Sequence, residues 1–385
     1  MRREFLPFAQ PLISQDEIDS VVETLKSDWI TTGPKTQDFA RKFQEFLHAE
    51  AVLPLNSCTA GLHTALVTLG IGPGDEVITT PMTFAASVNV IEHVGAKPIL
   101  VDVEPDTLNI DPQRIAGALT PRTKAILPVH YSGHPAEMDQ INELAAAGHL
   151  HVIEDAAHAI PARYKGKLIG SAGNPTAFSF YATKNLTTAE GGALTGPPDF
   201  IDRARIVSLH GMSRDAWKRY GKGGNWYYEI QLPGFKYNMT DIQAALGIGQ
   251  LAKLERFQAR RCEIVQSYAR AFGDSDALEV PRARPEVDHA WHLYPLRLNL
   301  HVISIDRNRF IEEMAARNIG CSVHFIPIHL HPYYRDKYAY RPDDFPIAHG
   351  SFHRLVSLPL HPRLTDADVD DVIEAVMDII KSHRR

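Results

Sequence analysis

Apolar positions recur along this chain with two different rhythms. Near the start, Ile18, Val21, Val22 and Leu25 fall at helical spacing and predict an amphipathic helix over residues 14–27. Ser14, with Glu17 three residues on, carries the signature of a capping box. The run Trp29-Ile-Thr-Thr-Gly-Pro34 breaks this helix, and a second is expected over about 36–47. Short apolar runs then occur at 51–55, 76–80, 98–102, 125–130, 151–154, 177–180 and 192–195. Helical patterns lie between them, among them a stretch ending at 69, then 85–94 and 138–147. Strands alternating with helices predict an α/β fold whose mostly parallel sheet is covered on both faces.

The rhythm changes near residue 240. A long helical pattern starts at Asp241 and runs to about Phe272. We place the domain boundary within it: residues 1–250 form a large domain with an N-terminal helical segment, and 251–385 a small C-terminal α+β domain. The small domain is expected to hold a strand at 292–298, a helix at 306–317, a short run at 321–325 and a final helix at 366–382. Two domains also suit a length of 385 residues. Residues 217–234, rich in Gly, Trp and Tyr, fit no element and are expected to be a functional or interface loop.

Composition narrows the function classes. With 44% apolar and 22% charged residues the chain reads as an ordinary soluble protein. A net charge of -6 disfavours a nucleic-acid partner. Cys58, Cys262 and Cys321 are widely spaced, so neither a disulfide framework nor a cysteine zinc site is expected, and a reducing, cytoplasmic setting is. The start, Met-Arg-Arg-Glu-Phe-Leu-Pro-Phe, lacks the apolar region of a signal peptide. No apolar run is long enough to predict a membrane span.

The densest chemistry lies in Phe178-Ser-Phe-Tyr-Ala-Thr-Lys-Asn-Leu-Thr-Thr-Ala-Glu-Gly-Gly-Ala-Leu194. It sets Lys184 between an apolar run and a Glu-Gly-Gly turn, with Ser179 just upstream. Earlier, the buried-strand pattern beginning at Val152 ends in Asp155. A lysine and a buried aspartate suit pyridoxal 5'-phosphate (PLP): the amine forms a Schiff base and the carboxylate pairs with the pyridinium nitrogen. Taken singly, Lys184 reads more readily as one surface lysine among many and Asp155 as a helix N-cap. A strand followed by Asn56-Ser-Cys-Thr-Ala-Gly61 and a helix makes an anion site from Ser57, Thr59 and Ala60, or simply a capped helix. Ser179 could add a hydroxyl to the same phosphate. Phe84 could cover one face of the pyridine ring, or be core. His158 could reach the ring hydroxyl or stack on it. His324, His329 and His331 have suggestive spacing, but Pro327 and Pro332 break any helix that would align them. No metal is expected, and His324 and His329 are taken as substrate-facing.

In order, Asn56-Ser-Cys-Thr-Ala-Gly-Leu-His63, Gly72-Pro-Gly-Asp-Glu-Val-Ile78, Thr83-Phe-Ala-Ala-Ser87, Glu154-Asp-Ala-Ala-His158, Phe178 to Lys184, Glu190-Gly-Gly192 and Gly234-Phe-Lys-Tyr-Asn-Met-Thr-Asp241 resemble the PLP-dependent nucleotide-sugar aminotransferases. The resemblance spans nearly the whole chain. It implies the aspartate aminotransferase fold (fold type I), with a mostly parallel seven-stranded sheet. It implies that Lys184 holds PLP, that Asp155 pairs the ring nitrogen, and that Thr59, Ala60 and Ser179 bind the phosphate. Phe84 and His158 would flank the ring, although Gln is common at position 158. Asn238 would reach the phosphate held by a partner subunit, which implies a homodimer with sites at the interface. Within the family, Phe5-Leu-Pro-Phe8, Trp29-Ile-Thr-Thr-Gly-Pro-Lys35 and His289-Ala-Trp-His-Leu293 are most similar to the branch making UDP-4-amino-4-deoxy-L-arabinose. That branch implies ping-pong transfer from glutamate, releasing 2-oxoglutarate, to a UDP-linked 4-keto sugar, with Thr32 among the substrate contacts. Amination of 4-keto-6-deoxy-hexoses or 3-keto sugars is the alternative. A PLP-dependent sugar dehydratase would carry His in place of Lys184. A non-catalytic regulator would need a partner or DNA-binding segment, and none is visible.

Overall fold

The computed structural model describes residues 2–213 and 227–385. The expected functional loop at 217–234 therefore lies largely outside the described residues.

A single sheet organises the N-terminal two-thirds. One ladder runs Lys97–Leu100, Glu76–Thr79, Thr123–Ile126, His151–Val152, with every pair parallel. A second runs Glu154–Asp155, Thr176–Ser179, Gly192–Gly196, Ala51–Leu55. The two join where the chain passes from Val152 to Glu154. Ile153 N–H donates to Ile126 O at 3.0 Å, Asp155 N–H to Pro128 O at 2.9 Å, and Val129 bridges Asp155 in parallel. Among the described residues, and counted with that broken run as one strand, the sheet has seven strands, of which only Gly192–Gly196 runs opposite to the rest.

Period-two alternation divides this sheet between two apolar cores. Val52, Ile78, Ile126, Phe178 and Ala193 face one core; their chain neighbours Leu53, Val77, Ala125, Ala177 and Leu194 face the other. On the first side the helix Pro34–Leu47 brings Phe39 and Phe43 edge-on to Phe180 and Phe178, with ring centroids 5.5 and 5.4 Å apart. On the second side the helix Cys58–Thr68 lies so close that a Cβ on Gly61 would stand 3.1 Å from Ala177 Cβ.

Helix ends follow their chemistry. Ser14 and Glu17 form both bonds of the expected capping box, and Thr240 with Gln243 forms another at the start of the 32-residue helix Asp241–Phe272. That helix gives Ala244 and Leu254 to the first sheet core, and Ile264, Tyr268 and Phe272 to a separate C-terminal core. The C-terminal core rests on an antiparallel sheet, Leu278–Glu279, Tyr294–Leu298, Leu355–Leu358, with the helices Arg307–Ala316 and Asp366–Ser382 packed on it. The strand Leu355–Leu358 and the short helices Pro332–Tyr338 and Pro346–Phe352 have no periodic signal in sequence. Residues 321–325 contribute one bridge, Ser322 to Ser357, rather than a strand. Among the described residues no helix is long and apolar enough to cross a membrane.

One carboxylate ties the N-terminal segment to the sheet domain. Asp241, 1% exposed, accepts from Gly33 N (2.7 Å), Lys35 N (3.0 Å), Thr36 N (2.9 Å) and Thr36 Oγ1 (2.6 Å). It caps the helix Pro34–Leu47 from across the fold while opening its own helix, so both positive helix ends face the same charge. Asp241→Ala is expected to lose about 2–4 kcal/mol, the sum of a lost cap and of buried donors left unpaired. Urea unfolding followed by circular dichroism measures this; an unmoved midpoint would contradict the role.

Candidate active site

A cavity of about 480 Å³ opens at the carboxyl ends of the parallel strands, the usual place for a ligand in such sheets. It is lined by Ser57, Thr59, Phe84, Asp155, His158, Ser179 and Lys184, and by His324 from the C-terminal part. Residues distant in sequence thus meet in one place.

Each is delivered by a local device. Asp155 ends its strand as its Oδ1 accepts from Ala157 N–H at 3.0 Å, an Asx turn. Its Oδ2 accepts from Ser87 Oγ at 2.7 Å. Ser87 Oγ is 2.7 Å from Thr83 Oγ1, and because Ser87 spends its one proton on Asp155, Thr83 is the donor there. Cys58 Sγ lies 3.8 Å from Asp155 Oδ1 and 3.4 Å from Ala177 O. The Lys184 loop is closed by Phe180 N–H to Gly191 O at 2.9 Å and Thr188 N–H to Phe180 O at 2.9 Å. Asn185 ties it further, donating to Ile160 O at 3.0 Å and Ala290 O at 2.7 Å.

Ser57 is the N-cap of Cys58–Thr68, and its side chain accepts from Ala60 N–H at 3.1 Å. The cap leaves other first-turn N–H groups for an anion. A Cβ on Gly192 would come within 2.4 Å of Ser57 C and 2.5 Å of Cys58 N, so only glycine lets this turn approach the strand. Ala60 is buried, does not line the cavity and gives its N–H to the Ser57 cap; Thr59 is exposed at the cavity. Ser179 Oγ accepts from Tyr181 N–H at 3.4 Å.

Electrostatics single out the lysine. As a residue Lys184 is half-buried, but the protein crowded around its amine desolvates it and lowers its pKa to about 8. Asp155 and Cys58 act in the opposite sense without overcoming burial. Burial first, and then the Lys184 charge, push the His158 imidazole well below its ordinary value and His324 down to about 4.

Other expected residues fall elsewhere. Phe84 lines the cavity but is 64% exposed, so in this chain it stands at the mouth rather than under cover. Asn238 does not line this cavity; its Nδ2 donates to Thr32 Oγ1 at 2.7 Å, and Thr32 in turn donates to Met239 O. His329 is corrected as a cavity residue: it is 1% exposed, packs on Phe345 at 4.7 Å and lies outside the lining. The short turn Ile328–Leu330, held by Ile328 N–H to Pro81 O, points it into the core. His324 does face the cavity, with Nδ1 2.9 Å from Ser357 Oγ and its ring stacked on Phe8. Sequence reasoning overlooked Ser87, Asn185 and His292. The one available signal was the pair of hydroxyls Thr83 and Ser87 either side of the helix start, where Ser and Thr side chains commonly find local partners. No group of three or more His, Cys, Asp or Glu among the described residues is arranged to hold a metal ion.

The DegT/DnrJ/EryC1/StrS aminotransferase family matches residues 11–377. The chain belongs to that family. It is 53% identical to the Methanocaldococcus jannaschii protein MJ1066 over 100% of both chains. It is 50% identical to the Bacillus subtilis spore coat polysaccharide biosynthesis protein SpsC, over 99% of this chain and 98% of SpsC. Among solved structures, the Streptococcus pneumoniae sugar aminotransferase Spr1654 in its pyridoxamine phosphate form superposes with a TM-score of 0.91 at 36% identity, covering 98% of this chain and 99% of that one. Its PLP form superposes equally well, at 35% identity. This member of the family is therefore a PLP-dependent sugar aminotransferase with the type I fold. The cavity fits the cofactor on its own evidence: a desolvated amine, a buried carboxylate and a helix N-terminus against which Gly192 lets the backbone close up.

The depressed amine gives a pH prediction. With its pKa near 8, Lys184 of the cofactor-free protein should capture PLP at a rate that climbs with pH and levels off above about 8. Because Asp155 raises that pKa, Asp155→Asn should move the midpoint lower. Stopped-flow absorbance reads both; a rate still climbing toward the free-lysine value of 10.5 would contradict the desolvation.

Proposed function

We propose that this aminotransferase moves the amino group of L-glutamate to the C4 ketone of a UDP-linked 4-keto sugar, making a 4-amino-4-deoxy sugar nucleotide for surface polysaccharide or lipid A. The observation that carries the reading is the convergence of Lys184, Asp155, Ser57 and Ser179 on one cavity. Kinship with a spore coat polysaccharide biosynthesis protein favours the polysaccharide use.

Bound PLP supplies the electron sink that makes amino transfer possible. The rest is the work of the chain. The N-terminus of Cys58–Thr68, with Ser57, Thr59, Ala60 and Ser179, holds the phosphate. Asp155, steadied by Ser87 and the Ala157 amide, holds the ring N–H. Lys184 would hold the cofactor and would take up and give back a proton at its Nζ; an amine titrating near 8 is well matched to do so near neutrality. Phe84 and His158 flank the ring. His324, uncharged at neutral pH, serves the substrates by hydrogen bonding and stacking, whereas Thr32, bonded to Met239 and Asn238, lies outside this cavity and would serve only the site of a second copy.

The enzyme works as a homodimer in this reading. Among the described residues that line the cavity, Lys184 is the sole lysine or arginine, while glutamate and a sugar diphosphate bring several negative charges. Asn238, outside its own cavity and bonded to Thr32, would serve the phosphate of a second copy. The apolar rim, Phe84 at 64% and Tyr181 at 47% exposed, supplies surface for it to cover.

Lys184→Ala is expected to abolish turnover, and retention of full transaminase activity would sink the assignment. To test the substrate, PLP-loaded protein is converted with glutamate and then mixed with UDP-, dTDP- and GDP-linked 4-keto pentoses and hexoses. Return of the cofactor's original absorbance is followed. Fastest return with the UDP-4-keto-pentose is expected; fastest return with a 6-deoxy-hexosulose moves the assignment to that class. No return with any of them points to a 3-keto substrate.

A further inference from the structure

The short turn Tyr131–Gly133 has no assigned role, yet its backbone is unusual. Ser132 sits at φ 63°, the left-handed region that a side chain disfavours. Gly133 follows at φ 100°, where a Cβ would stand 2.9 Å from the His158 carbonyl oxygen and 3.0 Å from Ala290 Cβ. The turn is pinned on its far side as well. Ser132 Oγ donates to Leu293 O at 3.1 Å, and Ser132 O accepts the N–H of His292 at 3.0 Å.

What this conformation delivers to the cavity is one amide. Ser132 N–H donates to His158 Nδ1 at 3.2 Å. A ring nitrogen that accepts a hydrogen bond carries no proton, so the neutral imidazole holds its proton on Nε2. Burial first, and then the Lys184 charge, keep this imidazole uncharged. The ring cannot readily turn over. It stacks on Phe325 at 5.7 Å and 18° and packs at 4.4 Å on His292, whose Nδ1 is 3.1 Å from Asn185 Oδ1.

We propose that the left-handed Ser132 turn is a positioning element of the active site: it locks His158 in its Nε2–H tautomer, so that the imidazole presents one neutral hydrogen-bond donor to the molecule held over Lys184. The inference rests on the reading of this cavity as the cofactor site. Strain in a sparsely populated backbone region is commonly kept where it orients a functional group.

Two substitutions separate this role from a merely structural one. In His158→Gln the amide NH2 reaches the place of Nε2–H. In His158→Asn the shorter amide stays beside the Ser132 N–H and leaves the cavity without a donor. With PLP as the probe, His158→Gln should bind within about threefold of the parent and His158→Asn about tenfold more weakly, the worth of one hydrogen bond. Equal affinities, or the opposite order, overturn the proposal. Long-range 1H–15N spectra of the histidine-labelled full-length protein, assigned with His158→Gln, read the tautomer directly. A proton on Nε2 is expected, and a proton on Nδ1 overturns the proposal whatever the variants do. Failure of the parent to bind PLP would count instead against the cofactor reading, and the spectrum would then decide the tautomer alone.

Discussion

Asp155 is 5% exposed at the end of a central strand, and a carboxylate taken out of water costs several kcal/mol unless donors meet it. Here the donors are the Ala157 amide, supplied by the turn that stops the strand, and Ser87, supplied by the first turn of the helix Ala85–His93. Thr83, just before the helix, backs Ser87. The need to satisfy this one charge therefore fixes how the strand ends, where the helix begins and which way the carboxylate faces. Lys184 sits in the same field. Its amine is pulled down by burial and held up in part by Asp155, so the balance of the two sets its proton affinity.

The sheet makes this placement rigid. Each strand buries alternate residues in different cores, so a slip of one residue would exchange Phe178 for Ala177 and Ala193 for Leu194 across the sheet. Facing aromatic rings of Phe39 and Phe43 leave no room for such an exchange. Strand ends are consequently held in register, and the site is built on those ends. The same logic extends outward. Asp241 anchors the segment Gly33–Thr36, and with it Thr32, beside Asn238. His324 is held by Ser357 and stacked on Phe8, so the C-terminal part closes the cavity with a fixed ring.

Much of this was legible in the chain itself. Capping at Ser14, the helix Asp241–Phe272 and the apolar runs of the sheet follow from local rules of spacing and hydrogen bonding, which need no knowledge of distant residues. The pairing of a lysine with a buried aspartate, each in its own apolar context, likewise named the chemistry before any geometry. Leu355–Leu358 and the Pro-initiated short helices were not legible, because four to seven residues carry too little periodicity to distinguish one state from another.

What sequence alone determined, then, was the kind of protein: its alternation of strand and helix, its cofactor chemistry, and its principal lysine and aspartate. Tertiary structure decided which side chains share a space. It put His324 in the cavity and His329, five residues on, in the core, because His329 lies within the short turn Ile328–Leu330 and packs on Phe345. It brought Ser87 to Asp155 across a separation of 68 residues, and the Ser132 amide to His158 across 26. Such meetings depend on the folding of the whole chain, since hydrogen bonds at these separations leave no periodic trace in the residues that make them.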